Sequence, residues 1–102
     1  MGNNIRRSHA RDMLRKQMIA QGLPCHICGM PIDYSLPPRH PMSFEMDELI
    51  PISRLPVEQR KAAACDPANV KPAHKICNQH KSNKLMHELK GTSLPIKRTR
   101  NW

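Results

Sequence analysis

Two short stretches, Pro24-Cys25-His26-Ile27-Cys28-Gly29 and His74-Lys75-Ile76-Cys77, decide how this chain can be read. Each places two soft or borderline ligands with two residues between them, a spacing that lets both side chains of a knuckle converge on one ion. The full pattern is C-x2-C, 45 intervening residues, then H-x2-C. Four such ligands close a tetrahedral structural site for one Zn2+, which would clip the loop at 25–28 to the start of a helix near residue 77. The plainer alternative makes the cysteines small buried hydrophobes and His74 a polar surface residue. His26 neighbours Cys25 and cannot easily reach the same ion, and Cys65 reads as a packed free thiol.

The rest of the composition explains why a metal matters. Of 102 residues, only 19 are Leu, Ile, Val or Phe, and the formal charge is +9. That fraction falls just below the roughly 20% line under which a highly charged chain is usually disordered. The length allows one domain, and a core this poor does not offset the ordering entropy of the chain unaided. Either the chain is disordered or something other than apolar burial holds it together. A zinc tied by Cys25, Cys28, His74 and Cys77 supplies folding energy outright.

Charge and hydropathy narrow the function classes. No apolar run exceeds four residues, Ala62 to Cys65, so the reading has no membrane span, no signal-peptide core and no membrane partner. A reducing, cytoplasmic setting is the expectation. Residues 33–66 carry six acidic and four basic side chains, whereas the flanks 1–32 and 67–102 are strongly basic. That distribution suits a polyanion gripped at the flanks and a cation held in the middle.

Along the chain, Ser8 is a candidate N-cap for a helix over 10–21 that stops at Gly22. Leu14 and Met18 share a face with Ala10 and Gln21, while Arg7, Arg11 and Arg15 form a basic stripe. Residues 31–43 hold four prolines and read as a loop. Ser43 to Ile50 alternates with a strand-like period of two. Pro56 to Ala64 reads as a short helix, Asn69 to Pro72 as a returning strand, and Lys75 to Lys90 as a helix stopped by Gly91. The units are a basic helix at 1–24, a zinc-stapled core at 25–91 and a basic tail at 92–102.

Between the knuckles lie Asp47-Glu48-Leu49-Ile50-Pro51 and Asn69-Val70, and the second knuckle runs on as Cys77-Asn78-Gln79-His80-Lys81. In these residues the chain resembles the HNH endonucleases, the ββα-metal nucleases, and in particular small bacteriophage-encoded members that carry a zinc knuckle. The family pattern is C-x2-C, then Asp-His-Ile-x-Pro on a strand. Asn-Leu or Asn-Val opens the second strand, and C/H-x2-C-Asn-x2-Lys starts the helix. The resemblance runs from Cys25 to about Lys84. It implies an α+β, small zinc-stapled ββα-metal (HNH) fold with an added N-terminal helix.

The resemblance also implies roles. Asp47 falls on the family's metal-binding acid, and a carboxylate suits a hard divalent cation such as Mg2+. Asn78 falls on the third signature position, a second ligand to that catalytic ion. Asn69 falls on the middle Asn, which in the family holds the loop between the strands and helps orient the base. In such enzymes the ion stabilises charge developing on the scissile phosphate, while a base takes a proton from the attacking water. The departure is Glu48, which stands where the family has its His. An ordinary glutamate pKa of about 4.3 against about 6.5 for histidine makes a weaker base, a loss on the order of tenfold at a Brønsted slope of about one half. Glu48 is expected to act either as the working base or as a further ligand beside Asp47. His80, otherwise an exposed helix residue, is the substitute base to test.

Lys71, Lys75, Lys81 and Lys84 surround this site, and Arg11 and Arg15 lie on the first helix. Phosphate contacts of this kind position a duplex without reading its sequence. With one Trp, one Tyr and one Phe, stacking platforms for single strands are poorly supplied. The expectation is a metal-dependent endonuclease acting on double-stranded DNA. The resemblance extends this to a phage-encoded enzyme in the host cytoplasm, working beside terminase or other packaging proteins. The rival is a non-catalytic zinc-knuckle DNA-binding module that kept the scaffold and lost the base.

Overall fold

The computed structural model describes residues 8–89. The first helix, α1 (His9–Gln21), begins where the Ser8 hydroxyl accepts the Arg11 backbone N–H at 3.1 Å. It ends at Gly22, whose φ of +61° lets its N–H return to the Met18 carbonyl at 3.0 Å. Its buried stripe is Arg11, Leu14 and Met18, an i, i+3, i+7 set. The expected face is therefore rotated: Ala10 is exposed, and Arg11 points inward instead of lying on an outer basic stripe.

Strands β1 (Phe44–Glu48) and β2 (Val70–His74) pair antiparallel, with Phe44 opposite His74 and Glu48 opposite Val70. β1 is shorter than the expected 43–50. β2 runs two residues past the expected end and finishes on His74, and α3 (Lys75–Lys81) follows without a gap. Pro72 is tolerated because its carbonyl faces away from β1 and accepts the His26 N–H at 3.0 Å, so the ring removes no ladder bond. Two strands are marginal alone. Here they are covered by α3, α1 and the 25–28 knuckle.

The connection between the strands holds a 3₁₀ turn (Ile52–Arg54) and the helix α2 (Val57–Ala64), entered through Pro56. The helix expected to reach Lys90 ends at Lys81. Ser82 takes φ +53° and its N–H closes on the Asn78 carbonyl at 2.8 Å, and a separate 3₁₀ turn, Met86–Leu89, follows. Ser82 and Asn83 are residues whose side chains compete with helical backbone bonding, which the count of apolar positions does not register. Arg7, Lys90, the Gly91 stop and the 92–102 tail lie outside the described residues.

The core joins Leu14, Met18, Ile27, Ile32, Phe44, Val70, Ala73 and Leu89 to the thiols of Cys25, Cys28 and Cys77. Tyr34 packs at a tilt against Phe44, ring centroids 4.8 Å apart, and the Arg15 guanidinium lies 4.9 Å over the same Phe44 ring. Three α-helices and one two-stranded antiparallel sheet among the described residues make this a small α+β fold. No helix among them is long and apolar enough to cross a membrane.

Candidate metal centre and acid site

The turn after Pro24 brings Cys25 and Cys28 to one side. Gly29, at φ +80°, donates its N–H to the Cys25 carbonyl at 2.9 Å, and the Cys25 N–H reaches the Met30 carbonyl at 3.0 Å. The junction of β2 and α3 supplies His74 and Cys77. The ligand atoms of Cys25, Cys28, His74 and Cys77 all lie within 4.8 Å of one another, and all four residues are buried. His74 Nδ1 is 3.4 Å from Cys28 Sγ and 3.8 Å from Cys77 Sγ. Zinc–sulfur bonds of about 2.3 Å put tetrahedral corners roughly 3.7 Å apart, so the spacing fits one ion.

The surroundings fit it as well. His74 Nε2 lies 2.9 Å from the Pro31 carbonyl, which only accepts. That nitrogen therefore carries the proton, and the Nδ1 lone pair is turned toward the thiols. Backbone N–H groups of His74 and Met30 each lie 3.4 Å from a sulfur, on Cys25 and Cys28 respectively. Hydrogen bonding from the Cys77 thiol, helped by the N–H groups of Cys28, His74 and Ile27, pulls the Cys25 pKa down to about 4. Cys28 moves the other way, chiefly through burial. Cys77 is also pushed up, since its proton is held by Cys25. Three buried sulfurs, of which Cys25 is already poised toward thiolate, and one imidazole can hold a structural metal such as zinc. Cys65 stands apart from the cluster, its sulfur 3.3 Å from the Ser8 hydroxyl.

A cavity of about 270 Å³ opens beside the end of β1, lined among others by Asp47, Glu48, Ser53, Asn78, Ser82 and Asn83. The structure thus gathers Asp47, Glu48 and Asn78 on one wall system. Both acids are buried, contrary to a strict period of two. Asp47 Oδ2 is 2.7 Å from His26 Nε2, and both its oxygens lie 3.3 Å from the Lys81 ammonium. Lys81 also donates to the Glu48 carbonyl at 2.9 Å. Glu48 Oε2 lies 3.3 Å from Arg11 Nη1, and that same nitrogen donates to the Ala64 carbonyl at 2.6 Å. Asn78 donates to Glu45 at 2.9 Å.

Asn69 does not line this cavity. Its backbone carbonyl accepts the Leu49 N–H at 2.7 Å, and its side-chain oxygen accepts the Ile50 N–H at 2.8 Å. Its amide N–H group donates to the carbonyls of Ile50 and Ala63, each at 3.2 Å. It fastens both ends of the strand connection.

Two of the six side chains expected to meet phosphate face inward. Arg11 is buried against Glu48, and Lys81 is fully buried against Asp47, because each of the two buried acids on β1 needs a cation within its own dry environment. Arg15 and Lys84 are exposed. Lys71 is half-buried opposite Asp47 in the ladder, and Lys75 reaches the Pro38 carbonyl at 3.2 Å. His80 is half-buried rather than an open helix residue. The contact of His26 with Asp47 has no signal in the sequence, since nothing in a C-x2-C tells which strand its inner residue will face. Arg11 did carry a signal, since it shares the i, i+3, i+7 stripe of Leu14 and Met18. Comparison with family models, with curated proteins and with solved structures found no match.

Proposed function

We propose that the chain is a metal-dependent DNA endonuclease of the HNH, ββα-metal type, stapled by one structural zinc. The observation that carries the reading is the convergence of Asp47, Glu48 and Asn78 on one cavity at the β1–α3 junction, next to the Cys/His cluster. The donors there are carboxylate, amide and hydroxyl oxygens, which fit a hard divalent cation such as Mg2+. Asp47 and Asn78 would hold it. When bound, such an ion acts as a Lewis acid toward a phosphodiester and its leaving oxygen. Glu48 would accept the proton of the attacking water, with Arg11 holding its carboxylate in place. Arg15, Lys71, Lys75 and Lys84 would meet the duplex backbone.

A second reading is favoured by the pairing of the acids. Asp47 is matched by Lys81 and His26 and Glu48 by Arg11, as in a non-catalytic zinc-knuckle DNA-binding module that keeps its acids as internal counter-charges. Supercoiled plasmid incubated with the zinc-loaded chain and Mg2+, Mn2+ or Ni2+ separates the two. Metal-dependent nicking or linearisation, lost by about 100-fold or more in D47N and E48Q, is the expected result. Duplex binding without cleavage under any of the three ions would establish the module instead.

A further inference from the structure

One short side-chain contact, His26 to Asp47, joins the Cys25–Cys28 knuckle to the acid strand. His26 lies between two cysteines of the cluster, and its backbone N–H is fixed to the Pro72 carbonyl on β2. Its ring crosses to β1, where Nε2 is 2.7 Å from Asp47 Oδ2, with the His26 side chain only 15% exposed. An ionised carboxylate only accepts, so the ring nitrogen facing it is the N–H donor. The cluster fixes the backbone on both sides of His26, and β2 fixes it in the middle. The ring position is therefore set by the metal centre, while the atom it orients lies in the acid cavity.

We infer that His26 is a positioning residue: the zinc knuckle uses it to hold the Asp47 carboxylate in the orientation that takes a divalent cation. This rests on Asp47 being a cation ligand, as in the proposed nuclease. Carboxylates that bind metals are themselves oriented by outer hydrogen bonds, and removing such a partner costs about 10- to 100-fold in metal affinity. Lys81, the other partner of Asp47, donates to Oδ1 and lies equally far from Oδ2, at 3.3 Å from each, a longer contact than the 2.7 Å of His26. His26 supplies one aligned donor to one oxygen.

The test titrates Mn2+ into the zinc-loaded chain and follows free Mn2+ by EPR, for the parent, D47N, H26A and H26Q. Zinc content and far-UV circular dichroism are checked on each. D47N should abolish the site. H26A should weaken Mn2+ binding about tenfold or more at unchanged zinc content. H26Q, whose amide N–H can replace Nε2–H, should return to within about threefold of the parent, a rescue that a purely structural role would not give. If H26A loses zinc, H26N, which is polar but too short to reach Asp47, takes its place. H26A or H26N binding as tightly as the parent, or H26Q as weak as H26A, would overturn the inference while the loss in D47N kept the nuclease site. No Mn2+ binding by the parent would overturn both.

Discussion

Arg11 and Arg15 lie one turn apart on α1, yet burial separates their roles. Arg11 is bound to the Ala64 carbonyl and ion-paired to Glu48 in a dry setting. Removing one partner of such a pair leaves the other charge buried without its counterpart, at a cost of about 3–5 kcal/mol. Arg15 is exposed over the Phe44 face, an arrangement that contributes about 0.5–1 kcal/mol. Arg11→Ala should therefore lower the unfolding free energy in urea by about 3 kcal/mol or more, and Arg15→Ala by about 1 kcal/mol at most. Equal, small effects from both would show that the Arg11–Glu48 pair is not structural. The positive charge of Arg11 suggests an outward residue, and its helical register suggests an inward one. Only a carboxylate 37 positions later, on another element, decides between them.

At the scale of elements, the connection from β1 to β2 depends on one side chain. Asn69 satisfies donors and acceptors on both sides of the loop, binding Ile50 at its N–H and carbonyl and Ala63 at its carbonyl. Asn69→Ala leaves those groups without their partner. A loss of about 1–3 kcal/mol, read as a lower urea midpoint at unchanged slope, is expected. An unchanged midpoint would mean that water replaces the amide at no cost. The boundaries of α1 and α2 were legible from Ser8, Gly22 and Pro56, because caps and prolines act locally. The end of α3 was not. Ile76, Leu85 and Leu89 sustain an apolar count through Ser82, but Leu89 reaches the core from a separate 3₁₀ turn rather than from one continuous helix.

For the whole molecule, the Cys/His cluster is part of the core rather than an addition to it, since all three of its sulfurs lie among the buried apolar residues. A strong chelator should unfold the chain, with loss of far-UV ellipticity tracking zinc release, and not merely inhibit it. Acid should act in the same direction. Cys25 is depressed from 9.0 to about 4, so its contribution is complete above the unfolded value and is lost as pH falls through about 4. Cys28 and Cys77 are pushed up, so they carry protons that a metal must displace. Zinc uptake should release protons, and zinc retention measured with a coloured chelator should fall steadily from pH 7 toward pH 4. A chain that keeps its ellipticity after complete removal of zinc would show that the sparse apolar core suffices.

What the sequence by itself determined is local or pairwise in spacing: the two knuckles, the capped first helix, the proline-bounded second helix, and the α+β order of elements. Ligand spacing, N-caps and prolines impose their geometry within a few residues, so they can be read without the rest of the chain. Which charges face one another was decided by the tertiary structure alone. Lys81 and Arg11 became internal counter-charges of Asp47 and Glu48, and His26 was brought across from the knuckle, because a carboxylate taken out of water recruits whatever cation or donor the packing brings within reach.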